Sequence, residues 1–392
     1  MRKKRMIATM LAFLMCVLSI QPTPILAASA AVGTEDEVIQ NDKTGIPDKA
    51  LYQCILVDEL GKKKTETFTR QEALGIRELD VGINYGYVQS LQGIGCLSNL
   101  EYLDLGGHMM TNIQGLGELK KLRSLDLEYN KVKSLKELSG LTELQCLYVP
   151  SNRLASLAGV EKLKKLQILD AMDNHLKDAS QVKTLKNLER LYLGGNNLKD
   201  ISFVKKLTRL EVLWAEDNCL TNIDGVKDLK NLRELGVREN RIKKLPNMKK
   251  LTKLRYNSCG FTCNMLTEKE LRSKLPAHLL KKSKAKKEWL AEQITLQDNF
   301  KITLLSPKSK GQITKNTKKI TGRTHPGARV ELQNLRTKEK IKRVTANKYG
   351  EFTLKNLNLK KWAGDKAALN VYIKRSGKWR LSDDKIEFHI KK

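Results

Sequence analysis

The sequence has little of what most enzymes need. Five of its 392 residues are histidine, and none is spaced with a nucleophile or with further ligands in a way typical of catalysis or metal binding. Paired carboxylates such as Asp126 with Asp170 match the residue types of a glycosidase acid and base, but repeated strands bring such pairs together routinely. We therefore predict that the protein is not an enzyme and holds no cofactor or metal.

Cysteine is scarce as well, with seven in the chain. Six of them follow residue 30 and are scattered singly, so they do not form the framework of a disulfide-rich protein. We interpret most of them as small core or surface residues. Cys259 and Cys263 are separated by three residues, which leaves a bridge between them open, but no second pair of ligands accompanies them as a zinc site requires.

Long hydrophobic runs are absent except at the start of the chain. The basic stretch 2–5 precedes an apolar run over 6–20, and small residues follow at 28–30. This order is typical of a secretory signal peptide, here 1–30, cleaved near Ala30, and the run is short for a membrane-spanning anchor. Because there is no later apolar run and no L-P-x-T-G wall-sorting signal, we expect a secreted, extracellular protein with no transmembrane anchor.

What the sequence does contain is a strict repeat. Six asparagines are spaced by 22 residues without slippage, each within the frame L-x-x-L-x-L-x-x-N-x-L, the pattern of a leucine-rich repeat. These ladder asparagines are Asn130, Asn152, Asn174, Asn196, Asn218 and Asn240. An amide side chain both donates and accepts hydrogen bonds, so it can satisfy the backbone of its own coil and of the next. We expect the ladder residues to be structural.

The repeat predicts a solenoid of stacked coils. Alternating leucines such as Leu125 and Leu127 place one face of a short strand in the core, and the later apolar residues, three apart, predict a 3₁₀-like return. Counting back by 22 from Asn130 puts His108 and then Gly86 at the ladder position. We predict about eight repeats over 78–263, in which a ninth coil decays. Terminal coils need caps, because one coil cannot bury its own leucines.

Segments of a different pattern flank the array. Residues 31–77 contain a linker and helical spacing, which predicts a helical N-terminal cap. Residues 264–294 begin with Thr267 ahead of acidic residues, a helix-start signal, and predict a helical C-terminal cap and linker. The predicted fold class of the repeat region is therefore an α/β leucine-rich-repeat solenoid with helical caps.

The last segment, 295–392, changes period. Its apolar residues alternate in steps of two, and turn signals stand at 326–327, 349–350 and 376–377. Short strands separated by regular turn signals are typical of a small all-β sandwich. We predict a second domain of this kind after the solenoid.

Charge is unevenly distributed over the chain. The formal net charge is +30, and residues 295–392 hold 25 Lys and Arg against 8 Asp and Glu. Such an excess favours polyanions, which outside a cell include anionic cell-wall polymers and glycosaminoglycans; a merely soluble basic surface stays open. An alternative function is therefore a noncovalent cell-wall-binding or polyanion-binding structural protein. No nucleic-acid-reading motif is present, so we expect no specific nucleic acid partner.

The repeat register also indicates which side chains face the concave side of the sheet. Counting two, four, six and seven residues from each repeat start, these positions hold two arginines and ten acids. The acids are Asp80, Asp104, Asp126, Glu128, Asp170, Asp173, Glu216, Asp217, Glu234 and Glu239. Tyr148, Tyr192 and Trp214 share one column, and aromatic residues beside charge are typical anchors of protein interfaces. Tyrosines that simply cover the sheet are the alternative.

We predict a partner-binding site on this concave face, for a protein that offers basic or mixed residues around an apolar centre. The predicted site residues are Tyr102, Asp126, Tyr148, Asp170, Met172, Tyr192, Trp214 and Glu216.

Taken together, these features resemble the internalin-type leucine-rich-repeat proteins of Gram-positive bacteria. The resemblance is carried by the cap that begins Ile46-Pro47-Asp48, by the 22-residue coils, and by I-T-G-R-T-H-P-G-A at 320–328, which with 345–352 resembles bacterial immunoglobulin-like modules. It implies an exported protein with a role in adhesion or contact with a host or bacterial surface, in which the concave sheet binds a protein ligand. The missing sorting signal implies noncovalent association with the Gram-positive cell surface.

Overall fold

The computed structural model describes residues 37–280, 283–295, 303–306, 313–324, 328–347, 351–375 and 378–391. The chain divides into two compact units. The first comprises the chain up to Asn197 together with Phe203–Leu213, and the second comprises Leu198–Ser202 together with Trp214–Lys392. The predicted signal peptide at 1–30 lies outside the described residues.

The repeats form a parallel sheet of nine short strands whose order follows the chain. The strands are β3 (Glu78–Asp80), β4 (Tyr102–Asp104), β5 (Ser124–Asp126), β6 (Cys146–Tyr148), β7 (Ile168–Asp170), β8 (Arg190–Tyr192), β9 (Val212–Trp214), β10 (Glu234–Gly236) and β11 (Cys259–Gly260). We number the coils by these strands, so coil 1 begins with β3 and coil 9 with β11. The predicted solenoid architecture is confirmed.

Each coil buries its apolar frame. The middle residue of the strand points into the core, as Leu125 and Leu147 do with no exposed surface. The chain then returns through a short 3₁₀ segment, as the three-residue spacing predicted. These segments are Ile94–Cys96, Leu116–Glu118, Lys136–Gly140, Val160–Lys162, Ser180–Thr184, Ser202–Lys206 and Asp224–Val226.

The six ladder asparagines are buried and bonded to the backbone. Asn174 is typical: its Oδ1 accepts from the N–H of Leu154 at 2.9 Å, and its Nδ2 donates to the carbonyl oxygens of Val149 at 2.9 Å and of Met172 at 3.0 Å. A buried backbone group without a partner destabilises a fold. The amide therefore satisfies groups of its own coil and of the preceding coil, which is a structural role.

The ladder continues beyond the six asparagines, with a change of spacing at both ends. Glu78 pairs with Tyr102, 24 residues later, so coil 1 contains two additional residues. For this reason the placement of Gly86 at the ladder position was wrong. His108 does take the ladder position in coil 2. At the other end Asn264 accepts from the N–H of Ile242 at 3.0 Å, and counting by 22 missed it.

The N-terminal cap is less helical than predicted, because it also contains a small sheet. Strands β1 (Val38–Ile39) and β2 (Phe68–Thr69) pair antiparallel. The helical parts are Lys49–Gln53, a π-helical continuation Cys54–Glu59, and Arg70–Gly75. Asp48 caps the first helix and also accepts from the N–H of Gln89 at 2.7 Å, which joins the cap to coil 1.

The C-terminal cap is helical, as predicted. Helix Glu268–Lys274 starts after Thr267, whose side chain accepts from the N–H of Glu270, and helix Lys284–Thr295 follows a 3₁₀ turn. Trp289 Nε1 donates to the carbonyl oxygen of Cys259 at 2.9 Å. The second helix therefore satisfies backbone of the last strand, which has no further coil to pair with. Within the described part of the chain, no helix has the length and apolar character to cross a membrane.

The C-terminal region is all-β, as predicted. One antiparallel sheet has the order β12-β13-β16 and the other has the order β15-β14-β17-β18. The strands are β12 (Thr303–Ser306), β13 (Lys319–Arg323), β14 (Arg329–Asn334), β15 (Lys340–Thr345), β16 (Glu351–Lys355), β17 (Lys366–Arg375) and β18 (Lys378–His389).

Both sheets contribute to one hydrophobic core, which includes Ile320 and Phe352 from the first sheet and Val330, Leu369 and Phe388 from the second. The turn signals at 326–327, 349–350 and 376–377 lie outside the described residues, between strands that end and begin on either side.

Candidate functional site

Two columns of side chains lie on the face of the parallel sheet that points away from the leucine core, in coils 1 to 6; we call this face the outer sheet face. The columns consist of the first and the third residue of each strand, because the second residue points inward. The first-residue column is Glu78, Tyr102, Ser124, Cys146, Ile168 and Arg190, and the third-residue column is Asp80, Asp104, Asp126, Tyr148, Asp170 and Tyr192.

The strand register brings several of the predicted site residues together. Asp126 pairs with Tyr148, Tyr148 with Asp170, and Asp170 with Tyr192. Neighbouring parallel strands are about 4.8 Å apart. These four side chains therefore alternate acid and tyrosine along the third-residue column.

The centre of the outer sheet face is apolar. Cys146 and Ile168 are buried, and Tyr148 and Tyr192 pack against them while remaining partly exposed. The tyrosines therefore do cover the sheet, which was the structural alternative. They also leave an aromatic surface that solvent reaches. Cys146 and Ile168 were absent from the predicted site, although the two-residue alternation around Leu147 and Leu169 could have identified them.

The aspartates of the third-residue column have a structural bond of their own. Asp104 Oδ1 accepts from the N–H of Gly106 at 2.7 Å, and Asp126 Oδ1 accepts from the N–H of Glu128 at 2.7 Å. Asp170 repeats this bond with Met172 at 3.0 Å. Each carboxylate thus ends its strand with a turn, and one oxygen per carboxylate is used in this way.

Burial makes these carboxyl groups harder to ionise. It raises the pKa of Asp104 and of Asp170 to about 6, and raises the pKa of Asp126 well above its ordinary value. Neighbouring carboxylates act in the same direction: Asp80 and Glu128 raise the pKa of Asp104, and Asp104 raises that of Asp126. A cation placed here would therefore relieve both the burial of charge and the mutual repulsion.

Tyr102 and Met172 stand at the margins of this arrangement. Tyr102, in the first-residue column, is half-buried, and burial together with Asp104, Asp126 and Asp80 raises the pKa of its hydroxyl. Met172 is half-buried in the turn after β7. It lies outside the strand because the strands are three residues long.

For the same reason, the assignment of residues six and seven after each repeat start to the sheet was wrong. These residues form the turn after the strand, and the seventh adopts a left-handed backbone in coils 2 to 9. The residues are Gly107, Tyr129, Ser151, Asp173, Gly195, Asp217, Glu239 and Cys263. Asp173, Asp217 and Glu239 therefore belong to the turns beside the sheet.

The remaining predicted residues, Trp214 and Glu216, belong to the second unit. Trp214 is the third residue of β9, and 37% of its surface is exposed. The Glu216 carboxylate lies over Gly236, where an added Cβ would come within 1.8 Å of Glu216 Oε1. Burial raises the pKa of Glu216, while Arg238 opposes the shift. Gly236 is thus the residue that admits the Glu216 side chain.

The described residues contain no group of three or more His, Cys, Asp or Glu arranged to hold a metal ion. All six described cysteines, including Cys259 and Cys263, carry free thiols. His108 is buried, with both ring nitrogens bonded to backbone. The chemistry that the outer sheet face offers is therefore that of a binding surface, with carboxylates, tyrosine rings and an apolar centre.

The repeat fold is also recognisable by comparison with known proteins. Residues 186–228 match the family described as "Leucine Rich repeats (2 copies)", and the nine-stranded parallel sheet agrees with this class. A search of curated protein sequences found no match.

Solved structures of bacterial leucine-rich-repeat proteins are similar to this chain. Internalin C2 of Listeria monocytogenes is 26% identical with a TM-score of 0.52, over 62% of this chain and 100% of that one. A leucine-rich-repeat protein of Leptospira interrogans is 25% identical over 50% of this chain and 58% of that one, with a TM-score of 0.44. The internalin InlF of L. monocytogenes is 24% identical over 58% and 85%, with a TM-score of 0.33.

Of these three structures, internalin C2 has a TM-score above 0.5 and supports a shared repeat fold. The chain is thus a leucine-rich-repeat protein that is similar to an internalin.

Proposed function

We propose that this protein binds a protein partner through the outer sheet face, as an exported protein of adhesion or surface contact rather than an enzyme. The observation that carries the proposal is the alternation of Asp126, Tyr148, Asp170 and Tyr192 across four adjacent strands, around the buried pair Cys146 and Ile168. Aromatic residues in a partly desolvated setting are typical centres of protein interfaces.

The chemistry of the face defines the partner it suits. Six strands at about 4.8 Å spacing span about 24 Å, a width suited to a protein rather than a small ligand. The partner supplies an apolar group against Tyr148 and Tyr192, and a lysine or arginine that reaches Asp126 or Asp170. The cation offsets the cost of keeping these carboxylates charged while they are buried.

Catalysis fits the same residues less well. Asp126 and Asp170 stand on strands that are separated by β6, so their backbones are about 10 Å apart. Each carboxylate commits one oxygen to a backbone N–H, and Tyr148 stands between the two. We therefore assign these acids to binding.

The test uses the full chain to capture partners from host-cell and bacterial-envelope extracts, followed by affinity measurement with each captured protein. We expect Tyr192→Ala to weaken binding about tenfold or more, which is typical for the loss of an aromatic anchor. Asp170→Asn keeps the acceptor for the Met172 N–H and removes the charge, so we expect it to weaken binding and to reduce the salt dependence. Lys133→Ala, exposed in the convex return, is the control. Wild-type affinity in both site variants would contradict the proposal.

Export is part of the proposal and has its own test. It is supported by the basic start, apolar run and small residues of the predicted signal peptide, and by the likeness to internalin C2. We expect the mature protein in the culture medium or on the cell surface, beginning after about residue 30. N-terminal sequencing of the extracellular protein measures this, and an intact Met1 in that fraction would contradict cleavage.

A second function, polyanion binding, is supported by the C-terminal region, which we propose to be an immunoglobulin-like domain. Strand β15 exposes Lys340, Lys342 and Arg343 beside β14, within a segment that carries 25 basic and 8 acidic residues. We expect intact producing cells to release the protein when washed with high salt, since counterions screen such binding. Retention at high salt would argue for a different attachment.

A further inference from the structure

We propose that a second binding surface lies at the turns of coils 1 to 3 and docks a cationic amphipathic helix of a partner protein. The surface, which we call the turn edge, consists of the exposed apolar residues Ile83, Tyr87, Met109 and Tyr129. It lies next to the third-residue acids Asp80, Asp104 and Asp126 and the turn residue Glu128. It is distinct from the apolar centre at Cys146 and Ile168.

The turn edge concentrates exposed apolar surface at one place. Six large apolar residues in the described part of the chain have at least about a third of their surface exposed, and four of them belong to coils 1 to 3. Tyr87 and Met109 are each 47% exposed, and Tyr129 is 46% exposed. A cluster of this kind on a soluble protein marks a site of interaction.

Hydrogen bonds place these residues side by side. The N–H of Val88 donates to His108 Nδ1 at 3.2 Å, and the N–H of Met110 donates to Asn130 Oδ1 at 2.7 Å. Tyr87 and Met109, which directly precede these donors, therefore occupy the same place in coils 1 and 2, about one strand spacing apart. Tyr129 directly precedes Asn130 and flanks Met109 from coil 3.

The fold itself does not call for apolar residues here. In coils 4 to 6 the counterparts of Tyr87 and Met109 are Arg153, His175 and Asn197, as the same backbone bonds show. The counterparts of Tyr129 in coils 4 to 8 are Ser151, Asp173, Gly195, Asp217 and Glu239. Polar or small residues thus serve the turns elsewhere, and coils 1 to 3 depart from that pattern.

The backbone adds a cost to this choice. Tyr129 and Met109 have φ of 52° and 59°, a left-handed conformation that favours glycine and asparagine over large side chains. Between them, Gly107 carries no side chain, and a Cβ there would meet nothing within 4 Å. Large apolar groups are therefore held in a disfavoured conformation on both sides of an open notch.

Charge complementarity defines the occupant. Asp80 pairs with Asp104 and Asp104 with Asp126, and the Glu128 side chain lies 3.3 Å from the Cβ position of Gly106. The neighbouring charges that raise the pKa values of Asp104 and Asp126 are those of other carboxylates. Two cations also border the edge: Lys131, whose Nζ is 3.7 Å from Met109 Sδ, and Lys64 beside Tyr85. The acidic row exceeds them and matches a basic partner.

Spacing favours a helix as the form of that partner. Coils repeat at about 4.8 Å, and a helix laid along the stack repeats every turn at about 5.4 Å. An extended chain would present side chains to one face only every 6.6 Å or so. A helix with one apolar stripe and one adjoining lysine or arginine stripe therefore meets the apolar row and the acidic row of successive coils together.

The test measures binding of a fluorescent helical peptide of leucine and lysine, with the leucines on one face, to the full chain. The Met109→Asn/Tyr129→Asn pair removes apolar surface with a residue that tolerates the left-handed backbone. The Asp80→Asn/Asp104→Asn pair removes charge, and at Asp104 it keeps an acceptor for the Gly106 N–H. We expect each pair to weaken peptide binding about tenfold, a loss typical of interface anchors, and the second pair to flatten the salt dependence.

Matched controls carry the same kinds of change elsewhere. Val38→Asn removes an exposed apolar side chain of the cap, and Glu137→Gln removes an exposed charge of the convex return. Both should bind the peptide as the wild type does. Failure of the wild type to bind the peptide, or wild-type affinity in both pairs, would overturn the proposal. So would loss of binding to heparin in place of the peptide, because that would assign the surface to a polyanion. Tyr192→Ala tests the outer sheet face separately, so the two proposals can fail independently.

Discussion

His108 Nδ1 accepts a hydrogen bond from the backbone N–H of Val88 at 3.2 Å, and its Nε2 donates to the carbonyl oxygen of Val81 at 2.8 Å. The imidazole thus makes the bonds that an asparagine makes in later coils. The two bonded groups stand further apart in sequence here, because coil 1 contains two additional residues. At the other end of the array Asn264 bridges a gap of the same length, from Ile242 to Val237.

We expect His108→Ala to lower the free energy of unfolding by about 2–4 kcal/mol, because it leaves a buried N–H and a buried carbonyl without partners and opens a cavity. His108→Asn should recover most of this loss, since Asn264 shows that an amide spans the longer gap. Urea unfolding followed by circular dichroism measures both variants. An alanine variant as stable as the wild type would remove the ladder role from His108.

The left-handed residue before each ladder position makes a prediction about side-chain type. Ser151 has φ of 55°, so Ser151→Val should destabilise by about 1–2 kcal/mol, because a β-branched side chain fits this conformation poorly. Ser151→Gly should be neutral or stabilising. Ser134→Val, at an exposed position outside the turn, is the matched control, and equal losses at the two positions would contradict the explanation by backbone strain.

The buried aspartates predict an unusual pH dependence of stability. The pKa of Asp104 is about 6 in the folded chain and lies near 3.9 in an unfolded one, so the folded state binds the proton more tightly. Stability should therefore rise as the pH falls from about 7.5 to about 5, and be lost as the pH rises through 6.

Asp104→Asn should flatten this dependence and raise stability at about pH 7.5 by roughly 1 kcal/mol. Urea unfolding at the two pH values measures the difference. Glu137→Gln, which removes an exposed carboxyl group, should leave the slope as it is in the wild type. Stability that falls on acidification over this range, with the same slope in Asp104→Asn, would contradict the assignment.

The C-terminal sheet depends on one buried carboxylate. Glu331 is 1% exposed, bonds Lys340 at 2.9 Å and Tyr372 at 3.1 Å, and pairs with Arg343. Burial alone would raise its pKa, but the bonds from Lys340, Arg343 and Tyr372 outweigh burial and hold the pKa of Glu331 below its ordinary value. The stability that this group contributes is therefore present above about pH 4.3 and is lost as the pH falls below that range.

We expect Glu331→Gln to destabilise by about 1–3 kcal/mol, since it leaves two cations with a neutral partner. Thermal unfolding at neutral pH measures this. Glu292→Gln, on an exposed helix position, should unfold as the wild type does. A Glu331→Gln variant with an unchanged midpoint would show that the cluster adds no net stability.

The sequence predicted the repeat part of the fold well, because the 22-residue period reflects the geometry of one coil. Leu125, Asn130 and their equivalents recur wherever the chain makes the same turn. The prediction failed where the period changes: Gly86 was misplaced and Asn264 missed, because insertions alter the count without changing the spatial stacking. The small sheet of the cap was missed too, since Val38–Ile39 and Phe68–Thr69 are two residues each and show no period.

The candidate site was predicted in part. The third-residue column that contains Asp126, Tyr148 and Asp170 was identified because strand alternation determines which residues share a face. The contribution of Cys146 and Ile168 was overlooked, since small and aliphatic residues do not look like binding groups. The turn residues were assigned to the sheet because the length of a strand cannot be read from the repeat alone.

The sequence by itself determined the solenoid, the ladder and the all-β end, because these follow from local periodicity and from the need to bury leucines. Tertiary structure alone decided that Asp104 and Asp126 are buried beside each other, that the tyrosines rest on Cys146 and Ile168, and that Met109 and Tyr129 flank one notch. Burial, pKa and neighbours across coils depend on contacts between residues about 22 positions apart. The pattern within a single coil contains no information about how close those side chains come.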